Sequence, residues 1–211
     1  MKLADLIQSP AFADEFERLR RDLGARHIAV TGAHGAVGVT SVAARLACSL
    51  SGAGRVLLAE GNLRRPSLAG ELGLRGPGLF DWDLQGALPT QAMPGHPALA
   101  VLTAGKTGAA LAVGDAQSLP ARLSAAARRA REDFAVVIWD TPAATRFPDL
   151  LAVASHCDGV LVVVEMDRSR VDGLQFLRDT LERAEVRILG CVLNRSGRYW
   201  PPQTRYQPAA M

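Results

Sequence analysis

The sequence predicts an α/β fold with a mostly parallel central sheet and helices on both faces. Continuous apolar segments alternate with amphipathic ones, and strands without a polar face are typical of parallel sheets covered on both sides. The chain has 211 residues, of which 48% are hydrophobic, enough for one compact α/β domain. The formal charge of +3 is small and gives no reason to expect nucleic-acid binding.

Each predicted element follows from a local pattern. Apolar runs bounded by turn residues predict strands, which we place at His27–Thr31, Arg55–Glu60, Leu99–Thr103, Phe134–Asp140, Gly159–Glu165 and Val186–Leu193. Apolar residues at helical spacing predict helices, which we place at Ala11–Leu23, Thr40–Leu50, Ala116–Glu132 and Val171–Arg183. Gly24 ends the first helix, and the stretch Gly76–Gly95 is rich in Gly and Pro and has weak order signals.

The predicted organisation is simple. We expect residues 1–195 to form a single domain with an N-terminal helix over residues 11–24, and residues 196–211 to form an irregular tail. The opening nine residues lack the apolar run of a signal peptide, and the longest apolar runs are far shorter than the ~20 residues of a membrane span. The protein is therefore expected in the cytosol, with any membrane link made through a partner.

The segment Thr31–Ser41 follows the first strand, opens a helix and matches most of a phosphate-binding loop. In the pattern G-x-x-x-x-G-K-[ST], backbone N–H groups surround a phosphate, a lysine reaches the β- and γ-phosphates, and a hydroxyl binds Mg²⁺. Ala33 replaces the leading glycine and Val39 replaces the lysine, whereas Gly38 and Thr40 fit. The predicted nucleotide-binding residues are Gly35, Ala36, Val37, Gly38, Val39, Thr40 and Ser41. The alternative is an ordinary glycine-rich turn between strand and helix.

Asp140 ends an apolar strand and precedes Thr141 and Pro142. A single Asp delivered to the carboxyl edge of a sheet is typical of the Walker B arrangement, in which the carboxylate helps to hold Mg²⁺. We therefore predict that Thr40 and Asp140 together bind the metal. The alternative is that Asp140 caps a helix or lies in a loop.

Polar residues also end two other strands. Glu60 and Asn62 follow the second strand, with a solvated strand exit as the alternative interpretation. Asn194 follows the last strand, and its amide offers both a donor and an acceptor, which suits the edge of an adenine base. The alternative for Asn194 is a turn residue before Ser196 and Gly197.

These motifs, in this order, resemble those of the bacterial tyrosine kinases of capsule and exopolysaccharide synthesis, which are P-loop proteins of the MinD/ParA-like branch. The resemblance spans about residues 11 to 195. It includes an E-x-x-R-x-x-R helix at Glu15, Arg18 and Arg21, the loop Thr31–Ser41, the motif Glu60–Pro66, and Asp140-Thr141-Pro142-Ala143 in place of D-T-P-P. Asp149, Asp158-Gly159-Val160 and Val192–Arg195 also fit.

The resemblance carries functional expectations. It implies ATP or ADP with Mg²⁺ as cofactors, and catalytic positions at Glu60, Asn62 and Asp140. It also implies homo-oligomers formed through Glu15, Arg18 and Arg21, and a membrane chain-length (co-polymerase) protein of polysaccharide export as partner. The chain would then be cytoplasmic and peripheral to the inner membrane through that partner.

The departures from the family pattern fall on catalytic positions. Val39 replaces the loop lysine, His34 stands where MinD-like relatives have a signature lysine, Asn62 replaces one carboxylate and Glu60 lengthens another. In the C-terminal tail only Tyr199 and Tyr206 remain of the family's tyrosine cluster.

These losses favour a degenerate kinase-like regulator of exopolysaccharide synthesis with weak or no ATP turnover. The alternatives are an active MinD/ParA-like ATPase, acting in positioning or in cellulose-type secretion, and an active autophosphorylating tyrosine kinase. A working enzyme would need another cation in place of the lysine, and Lys106, Arg64, Arg65 or an arginine of a neighbouring subunit could supply it.

Overall fold

The computed structural model describes residues 3, 18–19, 21–52, 54–93, 95–105, 115–143, 149–166, 168–195 and 206–208. Its strands are β1 (His27–Gly32), β2 (Val56–Glu60), β3 (Gln91–Met93), β4 (His96–Leu102), β5 (Val136–Asp140), β6 (Gly159–Glu165), β7 (Ile188–Asn194) and β8 (Tyr206–Pro208). Its helices are α1 (Val39–Ser51), α2 (Leu68–Leu72), α3 (Asp115–Asp133), α4 (Asp149–Ala154) and α5 (Val171–Arg183), with a 3₁₀ turn at Leu79–Asp81.

All the strands belong to one sheet, in the order β3-β4-β2-β5-β1-β6-β7-β8. The six strands from β4 to β7 in that order pair in parallel, and only the edge strands β3 and β8 run antiparallel to their neighbours. The predicted mostly parallel α/β fold is confirmed. Because parallel strands end at the same edge, the segments that follow β1, β2, β5, β6 and β7 share one side of the sheet.

The continuous apolar strands are explained by a hydrophobic core on each face of the sheet. On one face, Ala29 and Trp139 pack with residues of α3, α4 and α5, and on the other, Ile28 and Ile138 pack with residues of α1 and α2. Neighbouring residues along β1 thus point into different cores, as the alternation of side chains along a strand requires. A polar face would have to be buried, so the strands carry none.

The N-terminal segment joins the second of these cores. Residues 18–19 and 21–23 are helical, Leu19 and Leu23 are 4% and 8% exposed, and Gly24 follows with a φ of +56°. This agrees with the C-terminal end of the predicted helix Ala11–Leu23. Arg18 and Arg21 are exposed, whereas Glu15 lies outside the described residues.

The structure also contains elements that the sequence patterns did not predict. These are α2, α4, the 3₁₀ turn and β3, and β4 begins three residues before the predicted strand at Leu99. In the C-terminal segment, where we expected an irregular tail, Tyr206–Pro208 pairs with Gly190–Val192 of β7 as strand β8. The physical reason is that the edge of β7 presents unpaired backbone groups, which a short extended segment satisfies whatever its side chains. Within the described part of the chain, no helix has the length and hydropathy to cross a bilayer.

Candidate functional site

The candidate site lies at the carboxyl edge of the sheet, where the loop between β1 and α1 passes beside the ends of β5 and β6. Thr141 donates to the Val30 carbonyl from both its backbone N–H (3.0 Å) and its hydroxyl (2.7 Å), and the Thr31 hydroxyl donates to the Pro142 carbonyl at 2.8 Å. These bonds tie the exits of β1 and β5 together. The loop and Asp140 are therefore held in a fixed relation.

The loop backbone has the form of a phosphate cradle. Ala36 and Gly38 have positive φ angles of 65° and 90°, and Gly38 is the N-cap of α1. At Gly32, a Cβ would lie 2.6 Å from Cγ2 of Val37, so only glycine lets the loop fold back this tightly. Positive-φ turns at a helix N-terminus expose successive N–H groups, which is an anion-binding arrangement.

Thr40 and Asp140, the two residues predicted to bind the metal, are in direct contact, and metal binding by them stays a prediction. The Thr40 side chain hydrogen-bonds to the Asp140 carboxylate, which is 2% exposed. Burial raises the pKa of Asp140 to about 7, with a further contribution from the charge of Glu60, while the bond from Thr40 acts in the opposite direction. A bound cation would restore the ionised form. Mg²⁺ commonly takes one or two carboxylates with substrate phosphates and water, so these two side chains fit it.

Neither the lysine position nor the signature-lysine position holds a lysine. Val39 is half-buried and packs against the core on the α1 face. His34 turns toward α5, where its Nε2 accepts a hydrogen bond from the backbone N–H of Arg170 at 3.3 Å. A Cβ on Gly173 would lie 2.5 Å from Cε1 of His34, so the glycine makes room for the imidazole.

Glu60 is fully buried and pairs in register with Asp140 across β2 and β5. Its Oε1 accepts hydrogen bonds from the backbone N–H groups of Ser67 and, at 3.1 Å, Leu68, and its Oε2 accepts one from Ala104 at 3.2 Å. Burial raises the pKa of Glu60, and the backbone hydrogen bonds oppose that shift. The solvated strand exit that we considered at Glu60 is not what the structure shows. The carboxylate anchors two loops, and its catalytic assignment stays a prediction.

Asn62 lies at the start of a turn, where its backbone carbonyl accepts a hydrogen bond from the Arg65 N–H at 3.2 Å. Its side chain is half-buried. The catalytic assignment of Asn62, like that of Glu60, rests on the resemblance alone.

Asn194 contacts the loop directly. Its Nδ2 donates to the Val37 carbonyl at 2.8 Å and lies 2.1 Å from the point where a Cβ of Gly38 would stand. Its Oδ1 accepts a hydrogen bond from the Arg195 N–H at 3.0 Å. Nδ2 therefore supports the loop, whereas Oδ1 is bonded to the backbone of the next residue, and adenine binding by Asn194 stays a prediction.

Two ion pairs at this edge were not predicted from the sequence. Arg64 forms a bidentate pair with the fully buried Asp149, at 2.7 Å and 3.2 Å, so its guanidinium holds α4. The Arg64 guanidinium is thus occupied by Asp149 in this structure, and its role in place of the loop lysine stays a prediction. Arg195 pairs with the buried Glu165 at 2.9 Å. No local sequence pattern predicts either pair, because the two partners are far apart in the chain. Lys106 lies outside the described residues, and Arg65 is exposed.

No family model matches the sequence, and no curated protein does. Among solved structures, the kinase domain of the Escherichia coli tyrosine kinase ETK superposes with a TM-score of 0.78 and 22% identity, covering 92% of this chain and 82% of that one. The chimerical protein CapA2B2 gives 0.77 and 22%, covering 90% and 87%.

A MinD protein supplies the second kind of neighbour. The septum site-determining protein MinD of Pyrococcus horikoshii OT3, solved with Mg-ADP, gives a TM-score of 0.66 and 22% identity, covering 84% of this chain and 74% of that one. The chain therefore has the P-loop α/β fold that bacterial tyrosine kinase domains share with MinD-like ATPases.

Proposed function

We propose that this protein binds Mg·ATP or Mg·ADP weakly, turns ATP over slowly or not at all, and regulates exopolysaccharide or capsule synthesis as a degenerate tyrosine-kinase-like protein. The observation that carries the proposal is the contrast between two adjacent positions at the start of α1, Thr40 and Val39. Thr40 and Asp140 meet as a metal site requires, whereas Val39 is neutral and packs on the core. The chain thus keeps side chains suited to a metal and lacks the positive charge of the loop.

Nucleotide binding is expected to survive in weakened form. A hydrogen bond to a charged group contributes about 1.5–3 kcal/mol, so the absence of the lysine weakens binding about ten- to hundredfold. The cradle of Ala36 and Gly38 and the pair Thr40–Asp140 supply the remaining contacts. Solved neighbours of this fold include MinD with Mg-ADP and a cobyrinic acid a,c-diamide synthase of Mycobacterium smegmatis with an ATP analogue and magnesium.

Phosphoryl transfer is expected to suffer more than binding. A cation on the transferring phosphoryl group contributes ~10³–10⁵ in rate where its effect is known. Here the loop position is Val39, His34 is directed at α5, and Arg64 is engaged with Asp149. A protein with this combination is suited to respond to nucleotide rather than to use it as a phosphate donor.

The polysaccharide and membrane parts of the proposal rest on the motif resemblance and on the kinase domains among the structural neighbours. We propose that the chain is cytoplasmic, forms homo-oligomers and binds the cytosolic end of a membrane chain-length protein. The exposed Arg18 and Arg21 beside the buried Leu19 and Leu23 are compatible with an oligomer contact on the outer face of the N-terminal helix.

Isothermal titration tests the nucleotide part. We expect Mg·ADP and Mg·ATP to bind the purified protein, and the Asp140→Ala and Thr40→Ala variants to lose the dependence of binding on Mg²⁺. A Ser51→Ala variant, which removes a hydroxyl at the C-terminal end of α1, is the control for loss of a hydroxyl. Absence of any binding by the unmodified protein would reject this part.

Co-purification tests the partner. Tagged protein expressed in its own host should recover a polysaccharide chain-length protein from solubilised membranes, and recovery should fall when Arg18 and Arg21 are both replaced by Ala if assembly strengthens the contact. Membranes that yield no polysaccharide-export component would reject the partner.

An active ATPase of the MinD-like class is the second candidate, and the preserved Thr40–Asp140 contact is the observation that favours it. It requires steady-state ATP turnover above that of the Asp140→Ala variant. Equal rates for the two proteins would leave the regulator as the better proposal.

A further inference from the structure

The guanidinium of Arg195 contacts the phosphate loop, a contact that the Val192–Arg195 motif by itself does not predict. Nη1 of Arg195, the residue after β7, donates to the Ala36 carbonyl at 3.3 Å and to Glu165 Oε1 at 2.9 Å. Ala36 and Arg195 are both non-glycine residues with positive φ, 65° and 55°. This backbone conformation is uncommon outside glycine, and such outliers cluster at binding and switch sites. The contact therefore joins two locally strained positions across 159 residues of sequence.

The partner of Arg195 is an incompletely satisfied carboxylate. Glu165 ends β6, its side chain is 8% exposed, and its Oε2 has no hydrogen-bond partner among the described residues. Arg168 Nη1 lies 3.9 Å from that oxygen, an ion-pair separation beyond hydrogen-bonding range. A buried carboxylate oxygen without a donor is costly, so this pair is not a closed structural salt bridge.

The guanidinium keeps capacity for a ligand. Both of its described side-chain contacts are made by Nη1, and the side chain is 55% exposed. Arginine has five N–H donors in a planar fork that matches phosphate oxygens in pairs. Within the described part of the molecule, Nε and Nη2 remain available for such a contact.

The position of Arg195 complements that of the metal residues. In the sheet, β1 and its loop lie between β5, which ends in Asp140, and the pair β6–β7, which ends at Glu165 and Asn194. The described loop thus has Thr40 and Asp140 on one side and Arg195 on the other. A nucleotide phosphate in the cradle would meet a metal ion from one side and a guanidinium from the other.

We propose that Arg195 is the cation that replaces the missing loop lysine, by contacting phosphate oxygens of a bound nucleoside di- or triphosphate. Glu165 holds the side chain beside the loop when no nucleotide is bound and releases it in part when phosphate arrives. The proposal rests on the nucleotide binding proposed above and deepens it, because it names the residue that supplies the positive charge.

Calorimetric titration of four proteins with Mg·ADP tests this role. Arg195→Ala should weaken binding about tenfold or more, and Arg195→Lys should recover part of that loss because a charge returns without the fork. Binding of adenosine, which has no phosphate, should be the same for all. Arg168→Ala is the matched control, since it removes an exposed arginine beside the same glutamate and should change the affinity by less than about threefold.

A second variant separates phosphate binding from mere support of the loop. Glu165→Gln keeps the shape and hydrogen-bonding capacity of the side chain and removes the competing charge. If Arg195 binds phosphate, this change should raise the Mg·ADP affinity about three- to tenfold. If Arg195 only tethers the loop, the weaker tether should lower the affinity, and that result would overturn the proposal.

A third experiment returns a lysine to the loop and asks whether it and Arg195 serve the same phosphates. Val39→Lys should restore Mg·ADP affinity more strongly in the Arg195→Ala background than in the unmodified protein, because the two cations would serve the same phosphates and their effects would not add. Additive effects, or unchanged affinity in Arg195→Ala, would reject Arg195 and leave the nucleotide-binding proposal intact. No binding by the unmodified protein would reject both.

Discussion

The two sides of the phosphate loop differ in how much of a nucleotide site they keep. On the β5 side, Thr40 and Asp140 are joined by a hydrogen bond, and the buried carboxylate has its pKa raised to about 7. At the two positions where the family pattern has lysines, Val39 packs on the core and His34 is directed toward α5. A metal needs only a few oxygen atoms near the phosphates, whereas phosphoryl transfer needs positive charge placed to within a fraction of an ångström. The two functions can therefore be lost separately.

The largest expected effect concerns the buried carboxylate on the metal side. Burial holds the pKa of Asp140 near 7 in the folded protein, against 3.8 in the reference state. The neutral carboxyl group therefore contributes stability that is complete below about pH 4 and is lost as the pH rises through 7, to a total of roughly 4 kcal/mol. Because asparagine does not ionise, Asp140→Asn should remove most of this loss. In urea denaturation at pH 8, the variant should therefore be more stable than the unmodified protein.

Asp158 serves as a control because its pKa is shifted in the opposite direction from that of Asp140. Hydrogen bonds from His27, Arg26 and Arg131 outweigh its burial and lower its pKa, so Asp158→Asn should reduce stability near neutral pH and leave it unchanged at low pH. Saturating Mg·ADP should also diminish the advantage of Asp140→Asn, since the metal stabilises the ionised carboxylate. Equal pH profiles for Asp140→Asn and the unmodified protein would contradict the isolation of Asp140 from solvent.

The next largest effect concerns Glu60, the buried carboxylate that lies beside Asp140 in the sheet. Glu60→Ala would leave the N–H groups of Ser67, Leu68 and Ala104 without their acceptor, at a cost of about 3 kcal/mol in the free energy of unfolding. Chemical denaturation measures this cost. Glu60→Gln keeps one acceptor and should lose about half as much. A Glu60→Ala variant of unchanged stability would show that Glu60 is not the anchor that we describe.

The third effect is an increase in nucleotide affinity when a lysine is returned to the loop. Val39→Lys should increase Mg·ATP affinity about ten- to hundredfold, because it returns a charged hydrogen-bond donor to the loop. Titration calorimetry against a Val39→Met variant, which has similar length and no charge, isolates the effect of charge. If lysine and methionine act alike, the loop is not open to phosphate.

The smallest effect concerns the support of the loop. Asn194→Ala removes the hydrogen bond to the Val37 carbonyl and should lower stability by about 1 kcal/mol, measured by denaturant titration. Asn194→Asp keeps the size but replaces the donor by an acceptor facing a carbonyl, so it should be the more damaging change. An alanine variant that binds Mg·ADP with undiminished affinity would show that adenine does not depend on this amide.

The regular elements were largely predictable from local patterns, and the irregular ones were not. The limits of β6 and α5 agree with the prediction because their apolar periods are long and bounded by turn residues. The helices α2 and α4 have five and six residues, too few to show a helical period. The edge strands β3 and β8 depend on backbone pairing with β4 and β7, which leaves little mark on side-chain pattern.

The fold class, the position of the phosphate loop and the absence of a lysine within it could all be predicted from the sequence. These depend on residue type and spacing, which are local. The hydrogen-bond partners of each polar group depend instead on the folded structure. Glu60 and Asp140 look alike at the ends of their strands, yet the donors that occupy Glu60 come from residues 67, 68 and 104. Arg195 reaches the loop from the far end of the chain, and no local pattern encodes a contact that only the assembled sheet creates.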